Sequence, residues 1–165
     1  MIYSPVRLME ANNICKKEEQ EQQMHDKLIF EVTVEIDPAQ VSQLKGPAGE
    51  VLMIPFGGTV KGELFNGQVL PGGVDTQTVD QNGVRHMSAR YMLEGVDKNG
   101  EQCRIYIDNN GWFPSEMTIP FKTIPTFFTD SKALASYLHS NKFRTEGHPR
   151  QGGVTIKVFE ICNES

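Results

Sequence analysis

The sequence predicts an all-β protein, folded as an antiparallel up-and-down β-barrel of about eight strands with one α-helix before the C-terminal strand. Three observations lead to this fold class. Apolar and polar residues alternate in several short segments, glycine-rich turns separate those segments at hairpin spacing, and one later segment has helical periodicity. Neighbouring strands joined by short turns favour a closed barrel, with a β-sandwich as the alternative.

The N-terminal part of the chain lacks this alternation. Residues 1–27 are predicted to form a polar N-terminal extension, and residues 28–165 a single β-barrel domain. The segment EANNICKKEEQEQQMHDK contains neither Gly nor Pro, but its apolar residues are too few to build a hydrophobic stripe. We therefore favour a solvated or frayed extension over a helix that binds a partner.

The strands are predicted from residues that alternate with period two. In LIFEVTVEI every second residue from Leu28 to Ile36 is apolar, which is typical of a half-buried strand. Pro55 indicates an edge or a bulge in the second strand. The predicted strands cover residues 28–36, 50–56, 58–65, 68–70, 84–95, 102–108, 117–124 and 153–161.

The segment FTDSKALASYLHSN is the predicted helix. Thr129 or Asp130 is the expected N-cap, because a short polar side chain there accepts a hydrogen bond from the first turn. Leu134, Tyr137 and Leu138 then lie on one face of the helix. We expect this face to pack on the barrel or across one of its ends.

Composition excludes several classes of partner. The formal net charge is −5, and Lys and Arg are scattered, so neither nucleic acid nor an anionic membrane is an expected partner. No apolar stretch approaches the length of a membrane helix, and the N-terminus does not resemble a signal peptide. Three widely spaced cysteines, Cys15, Cys103 and Cys162, favour reduced thiols and a cytoplasmic location.

The stretch FGGTVKGELFNGQVLPGGVD has six glycines in twenty residues. It matches neither phosphate-binding glycine pattern and is followed by β-patterned residues rather than a helix. The glycines are therefore interpreted as bends and turns. At the pairs Gly57-Gly58 and Gly72-Gly73 the backbone is expected to approach another strand or a ligand at the barrel mouth.

The same stretch carries a family resemblance. The segments IPFGGTVKGELFNGQVLPGGVD, ARYMLEGVDKNGEQCRIYIDNNG, PFKTIPTFFT, YLHSNKF and VTIKVFEI follow one another in the order seen in the family called domain of unknown function 3237. The resemblance covers about residues 28–162. It implies a small bacterial or fungal protein with an eight-stranded antiparallel barrel, and it implies no particular reaction.

Asp75 and Arg90 form the first candidate site. Inside a barrel they would present a carboxylate and a guanidinium to a polar ligand or to each other. The alternative follows from the strand pattern, because Met87 and Ala89 share a face with the other apolar residues and Arg90 lies on the opposite face. If the apolar face points inward, Arg90 is solvated.

Further candidates surround this pair. His86 shares the face of Arg90 and becomes a general base if Asp75 or Glu63 lies nearby. The ligand-binding candidates are Glu63, Gly72, Gly73, Tyr106, Asp108, Trp112 and Lys122. Lys122 stands where the resembling family usually carries an arginine. No histidine or cysteine spacing indicates a metal site, and no cofactor is predicted.

Two functions remain open from the sequence. The first is a small-molecule-binding barrel with lyase or isomerase-type chemistry on a carbonyl- or carboxylate-bearing metabolite. The second is a non-catalytic module with a packed interior that forms homo-oligomers through a sheet edge or the N-terminal extension. An eight-stranded barrel is wide enough either to be filled by side chains or to hold one small ligand.

Overall fold

The computed structural model describes residues 5–114 and 116–162 of the chain. These residues form two α-helices, eleven β-strands and one 3-10 turn (Pro38–Gln40). In chain order the helices and strands are α1 (Pro5–His25), β1 (Lys27–Glu35), β2 (Ser42–Gly46), β3 (Gly49–Pro55), β4 (Gly57–Lys61), β5 (Phe65–Val69), β6 (Val74–Val79), β7 (Arg85–Asp97), β8 (Gln102–Phe113), β9 (Phe121–Thr129), α2 (Ala135–Leu138), β10 (Phe143–Arg150) and β11 (Gly153–Glu160).

Eight strands close into an antiparallel barrel, which confirms the predicted fold class. Around the barrel the order is β1, β4, β5, β7, β8, β9, β10 and β11, and β11 pairs with β1. The long strand β7 pairs with β6 over residues 85–90 and with β5 over residues 93–97. Strands β6, β3 and β2 extend the sheet from the first half of β7. The first half of β7 thus extends beyond its pairing with β5, and there it carries a three-stranded layer of β6, β3 and β2 outside the eight-stranded barrel.

Gly58 lies where the chain turns from this layer into the barrel. It has φ +146°, and a Cβ there would lie 2.0 Å from the backbone oxygen of Thr33 on the paired strand β1. Only glycine accommodates both the backbone conformation and this close approach. At Gly57 a Cβ would meet no atom within 4 Å. In the pair Gly57-Gly58, the close approach to another strand is therefore found at Gly58 and not at Gly57.

One end of the barrel is a packed core, called here the closed half. Its largest fully buried side chains come from β1, β5, β7, β8, β10 and α2, and they include Phe30, Phe65, Leu93, Ile105, Leu138 and Phe143. Helix α2 covers this end, since Leu134 and Leu138 are completely buried. The edge-to-face contact of Phe127 with Phe143, with ring centroids 5.3 Å apart, joins neighbouring walls.

The predicted helix is shorter than expected. Its α-helical part is Ala135–Leu138, and neither predicted N-cap serves there. Asp130 Oδ1 instead accepts the backbone N–H of Arg104, and Ser131 Oγ accepts that of Leu134. The predicted burial of Leu134 and Leu138 is confirmed.

Three strands were missed because their inward positions are small or polar. In β10 the inward side chains include Thr145 and Gly147, and the ring of Phe121 covers Gly147, where a Cβ would lie 2.0 Å from a ring carbon. In β6 they are Asp75 and Gln77, and all five residues of β2 are exposed. Without alternating apolar residues, these strands carry no pattern of period two.

The N-terminal segment forms a helix. The side chains described in its middle, residues 12–21, are exposed. The segment is therefore helical rather than frayed.

Candidate functional site

A cavity of about 260 Å³ occupies the end of the barrel opposite α2, called here the open half. Apolar side chains from β1, β3, β7, β9 and β11 build most of its wall, among them Val34, Ile54, Met87, Phe121 and Ile156. Five lining side chains carry polar groups: Asp75, Gln77, Asn109, Thr123 and, through its phenol, Tyr91. An apolar chamber with a few placed polar groups is the usual form of a small-molecule site.

Asp75 projects into the cavity from β6. Its Oδ2 accepts a hydrogen bond of 2.7 Å from Gln77 Nε2, whereas its buried Oδ1 has no partner among the described residues. Burial raises the pKa of Asp75 above its usual value of 3.8, whereas the Gln77 hydrogen bond, the charges of Arg85 and His86 and the nearby backbone N–H of Ser88 act in the opposite direction. A carboxyl group whose pKa is shifted in this way is a candidate for proton exchange with a bound molecule.

Arg85, rather than Arg90, is the arginine linked to Asp75. Arg85 Nη1 donates a hydrogen bond of 2.8 Å to Gln77 Oε1, and Gln77 in turn donates to Asp75. The guanidinium therefore acts on the carboxyl group through one intervening amide. This chain orients Gln77 so that its N–H group faces Asp75 Oδ2 and leaves Oδ1 directed elsewhere.

Asn109 is the second polar group with an unused oxygen. Its Nδ2 donates to Thr145 Oγ1 over 3.3 Å, and Thr145 also hydrogen-bonds Thr123 through the two hydroxyl groups. This donation fixes the amide orientation, so that Asn109 Oδ1 is the free end of the side chain. That oxygen is buried and has no partner within the described parts of the chain.

Asp75 and Asn109 lie in one row across three strands. In the β6–β7 register Asp75 is opposite Ala89, and in the β7–β8 register Ala89 is opposite Asn109. Neighbouring strands are ~4.8 Å apart, so the two backbones are separated by about 10 Å. Between them stands only the methyl group of Ala89, which leaves space for a ligand.

The predicted Asp75–Arg90 pair is wrong. Arg90 lies opposite Val74, on the outer face of the barrel, and its side chain is 65% exposed. Its nearest charged partner is Asp108 Oδ2 at 3.8 Å, also on the outer face. The apolar residues of β7 face inward, as the alternative interpretation of its alternation expected, and Arg90 is therefore exposed to solvent.

His86 also lies outside the barrel. Its ring stacks on Trp112, with centroids 4.3 Å apart and planes 5° from parallel, and its Nε2 lies 2.9 Å from Asn110 Oδ1. Its position opposite Thr78 places it one residue out of step with the inward row of Asp75 and Gln77. The structure thus does not bring His86 and Asp75 together in the cavity.

The remaining predicted polar and aromatic ligands lie away from the cavity. Tyr106, Asp108 and Trp112 occupy outward positions of β8, and Trp112 is 63% exposed. Lys122 is exposed on the outer face of β9, opposite Glu146. Glu63 is exposed in the turn between β4 and β5, at the closed half of the barrel.

Gly72 and Gly73 line an open groove of about 830 Å³ beside the cavity. Ile36 and Phe56 line both spaces, so they form the wall between groove and cavity. Gly73 is tightly surrounded, since a Cβ would lie 3.1 Å from the backbone oxygen of Phe56 and 3.2 Å from Tyr91 Cβ. The backbone approach predicted at this pair thus involves other strands of the protein at Gly73.

Sequence reasoning missed Gln77, Arg85, Asn109 and Thr123. Asn109 belongs to the run Asp-Asn-Asn-Gly, which resembles a turn rather than the interior of a strand. The alternation around it was nevertheless a usable signal. Asn109 has the same parity as the apolar residues Ile105 and Ile107, and all three are buried.

The described residues, 5–114 and 116–162, include no helix that has both the length and the apolar character to span a membrane. Within the same residues, no group of three or more His, Cys, Asp or Glu side chains is arranged to hold a metal ion.

Comparison with known proteins places the chain in a family. Residues 25–161 match the family described as "Protein of unknown function (DUF3237)". A UPF0311 protein from Clostridium acetobutylicum is 34% identical over 125 residues, which are 66% of this chain and 77% of that protein. A crystal structure of a protein of unknown function from the same organism is 30% identical, with a TM-score of 0.68 over 84% of this chain and 97% of that one.

A structure described as an enzyme from Penicillium herquei shares the fold. It has a TM-score of 0.59 and 18% identity, and the alignment covers 84% of this chain and 94% of that one. The match to the family model covers all eleven strands, whereas almost all of helix α1 precedes it. The chain is therefore a member of the DUF3237 family.

Proposed function

We propose that this protein binds a small metabolite in the open half of the barrel and that Asp75 exchanges a proton with the bound molecule. One observation carries the proposal: Asp75 Oδ1 is buried at the cavity and has no hydrogen-bond partner among the described residues. A buried carboxyl oxygen without a partner is costly, by about 1–3 kcal/mol, unless something else serves it. A ligand in the cavity would do so.

The state of the carboxyl group favours acid–base chemistry. Burial raises the pKa of Asp75, which makes its conjugate base a better proton acceptor at neutral pH. Next to a ligand carbonyl, Asp75 would take a proton from one ligand atom and return it to another, which is the net reaction of an isomerase. If the molecule instead loses a leaving group after proton removal, the same step belongs to a lyase.

The electrostatics favour an uncharged carbonyl compound over a carboxylate. The expectation of a carboxylate ligand depended on Arg90 in the interior, and Arg90 lies outside. Asp75 would repel an anion, and Arg85 is already hydrogen-bonded to Gln77. The description of a fold relative as an enzyme is compatible with catalysis on such a barrel.

The experiment is a thermal-shift screen of carbonyl metabolites with three proteins: wild type, Ala89→Leu and Arg90→Ala. A leucine at position 89 would fill the space between Asp75 and Asn109, whereas Arg90→Ala changes only the outer face. Ligands that stabilise the wild type should no longer stabilise Ala89→Leu, but they should still stabilise Arg90→Ala. Ligands that still stabilise Ala89→Leu bind elsewhere and contradict the proposal.

Proton exchange is tested separately on the ligands found. In D2O, wild type should exchange a ligand C–H proton next to the carbonyl, as followed by NMR, and Asp75→Asn should lose this exchange by about a hundredfold or more. Equal exchange rates in the two proteins would remove Asp75 from the chemistry and leave only binding.

The interaction module remains a second candidate because several large apolar side chains are exposed on the outer face. Ile124 and Phe128 on β9 are each 67% exposed, and Trp112 on β8 is 63% exposed. Exposed apolar groups can mark a contact surface between proteins. If this surface mediates self-association, Ile124→Lys with Phe128→Lys should lower the molar mass measured by light scattering to that of one chain.

A further inference from the structure

We infer that the cavity selects an uncharged molecule the size of one substituted ring, which carries two hydrogen-bond donors and bridges Asp75 and Asn109 above Ala89. This inference rests on the proposed function and specifies its ligand class. An enolised cyclic diketone of this size has this chemistry, and a diphenol presents the same two hydroxyl donors on one ring.

The number and kind of donors follow from two unused oxygens. In the described residues, three buried side-chain polar atoms have no hydrogen-bond partner, and two of them, Asp75 Oδ1 and Asn109 Oδ1, line the same cavity. Asn109 Nδ2 donates to Thr145, and the unpartnered end of the amide is its oxygen, an acceptor. Gln77 donates to the other oxygen of Asp75, so the ionised carboxylate also offers an acceptor to the cavity.

The spacing indicates one molecule that reaches both oxygens. Asp75, Ala89 and Asn109 are successive partners across β6, β7 and β8, and the outer two backbones are about 10 Å apart. Both side chains extend from the same inner face, on either side of a methyl group. A ligand that rests over Ala89 therefore meets one acceptor at each end.

The cavity volume sets the ligand size. An apolar cavity of about 150 Å³ holds a benzene molecule. The volume of about 260 Å³ leaves room for one ring with substituents but not for two separate ring systems. Tyr91, Phe121 and Met87 supply apolar surface for the body of that ring.

The wall also argues against charged ligands. An anion would lie beside the Asp75 carboxyl group, and Arg85 is not among the residues that line the cavity. A cation would leave water for a mostly apolar wall with a single carboxyl group, a transfer that usually costs several kcal/mol. An uncharged ring with hydroxyl donors meets the acceptors without that desolvation.

The test uses resorcinol, 1,3-dimethoxybenzene and 3-hydroxybenzoate as probes of the wild-type protein in titration calorimetry. Dimethoxybenzene has the same ring and substituent positions but no donors, and hydroxybenzoate replaces one donor by a charge. Resorcinol should bind at least tenfold more tightly than either control. Benzylamine, the positively charged control, should also bind at least tenfold more weakly than resorcinol.

Variants locate the contacts. Asp75→Leu and Asn109→Leu should each weaken resorcinol binding about tenfold, while Lys122→Ala on the outer face should leave it unchanged. Because a leucine variant can fail to fold, the comparison of probes on wild type stands as the independent measurement. Equal affinity for resorcinol and dimethoxybenzene, or preference for hydroxybenzoate or benzylamine, would overturn the inferred ligand class.

The two proposals fail differently. If resorcinol does not bind, the ligand class is wrong. Metabolites that bind wild type but not Ala89→Leu would in that case still support a binding cavity. If every ligand found binds Ala89→Leu as well as wild type, the cavity itself is not the site.

Discussion

Asp75 lies opposite Ala89 in the β6–β7 register, and Arg90, the next residue on β7, faces the other side of the sheet. Successive residues of a strand point to opposite faces, so a difference of one position separates a cavity residue from a surface residue. Asp75 therefore has a methyl group as its neighbour instead of a guanidinium. This relationship explains why the carboxyl group is buried without a direct cationic partner.

The first prediction concerns Asp75→Asn and pH. The pKa of Asp75 is raised on folding, so the native protein binds the proton more tightly than the unfolded chain, and the wild type loses stability as pH rises from about 3.8 through the raised pKa. The amide in the Asp75→Asn variant does not titrate in this range, and its oxygen can keep the Gln77 hydrogen bond. At pH 7 the variant should be more stable by about 1–2 kcal/mol.

Thermal unfolding of both proteins between pH 4 and pH 8 measures this effect. The stability difference should be largest at neutral pH and should shrink toward pH 4. A difference that does not change with pH, or a less stable variant at pH 7, would show that the carboxyl group is not destabilised by burial.

The second prediction uses the two neighbouring glycines. Gly58→Ala places a Cβ 2.0 Å from the Thr33 oxygen in a backbone conformation with positive φ, and it should destabilise the protein by about 2–3 kcal/mol or more. Gly57→Ala meets no atom within 4 Å and should cost less than about 1 kcal/mol. Urea unfolding of the pair is the measurement, and equal effects would contradict the close approach of β4 to β1.

The third prediction concerns the outer pair Arg90 and Asp108. Their nearest charged atoms are 3.8 Å apart and the arginine side chain is 65% exposed, so the pair should contribute little. Arg90→Ala should change the free energy of unfolding by less than about 0.5 kcal/mol and should not alter ligand affinity. Loss of ligand binding in this variant would place the site on the outer surface.

The fourth prediction concerns Asp26, which joins the start of β1 to β10 and the C-terminal segment. Its side chain is only 2% exposed, and it accepts hydrogen bonds from Arg144 Nε at 2.6 Å and from the backbone N–H of Cys162 at 3.2 Å. Asp26→Ala leaves both donors without this partner, so it should destabilise the protein by about 2–3 kcal/mol.

Lys157→Ala is the matched control for that ion pair. Lys157 and Glu31 are 3.8 Å apart, and both side chains are more than a third exposed, so the change should cost less than about 0.5 kcal/mol. Similar losses of stability in Asp26→Ala and Lys157→Ala, measured by urea unfolding, would show that burial does not strengthen the Asp26 contacts.

The barrel could be predicted because its signal is local. Alternation from Phe30 to Val34 and from Cys103 along β8 reflects one apolar face per strand, and that face lies in the core. At the start of β1 a register shift against β11 exposes Leu28 and buries Ile29 instead, which the alternation did not predict. The strand β6 could not be found in this way. Its inward residues Asp75 and Gln77 are polar and line the cavity, so the strand lacks the apolar alternation that would reveal it.

Of the polar residues that line the cavity, the sequence singled out Asp75 alone. Asp75 was a candidate because of its place after the glycine block, and the alternation in β7 already contained the outward position of Arg90 as an alternative. Asn109 was not identified, because its role depends on Thr145, which is 36 residues away in the chain.

By itself, the sequence determined the strand-rich architecture and the inward face of each strongly alternating strand. Both depend on the side-chain periodicity of neighbouring residues. Only the tertiary structure decided that one half of the barrel is packed and the other hollow, and that Asp75 and Asn109 share a row with Ala89. Those properties depend on the register between strands that are distant in the chain, and register is set by barrel closure as a whole.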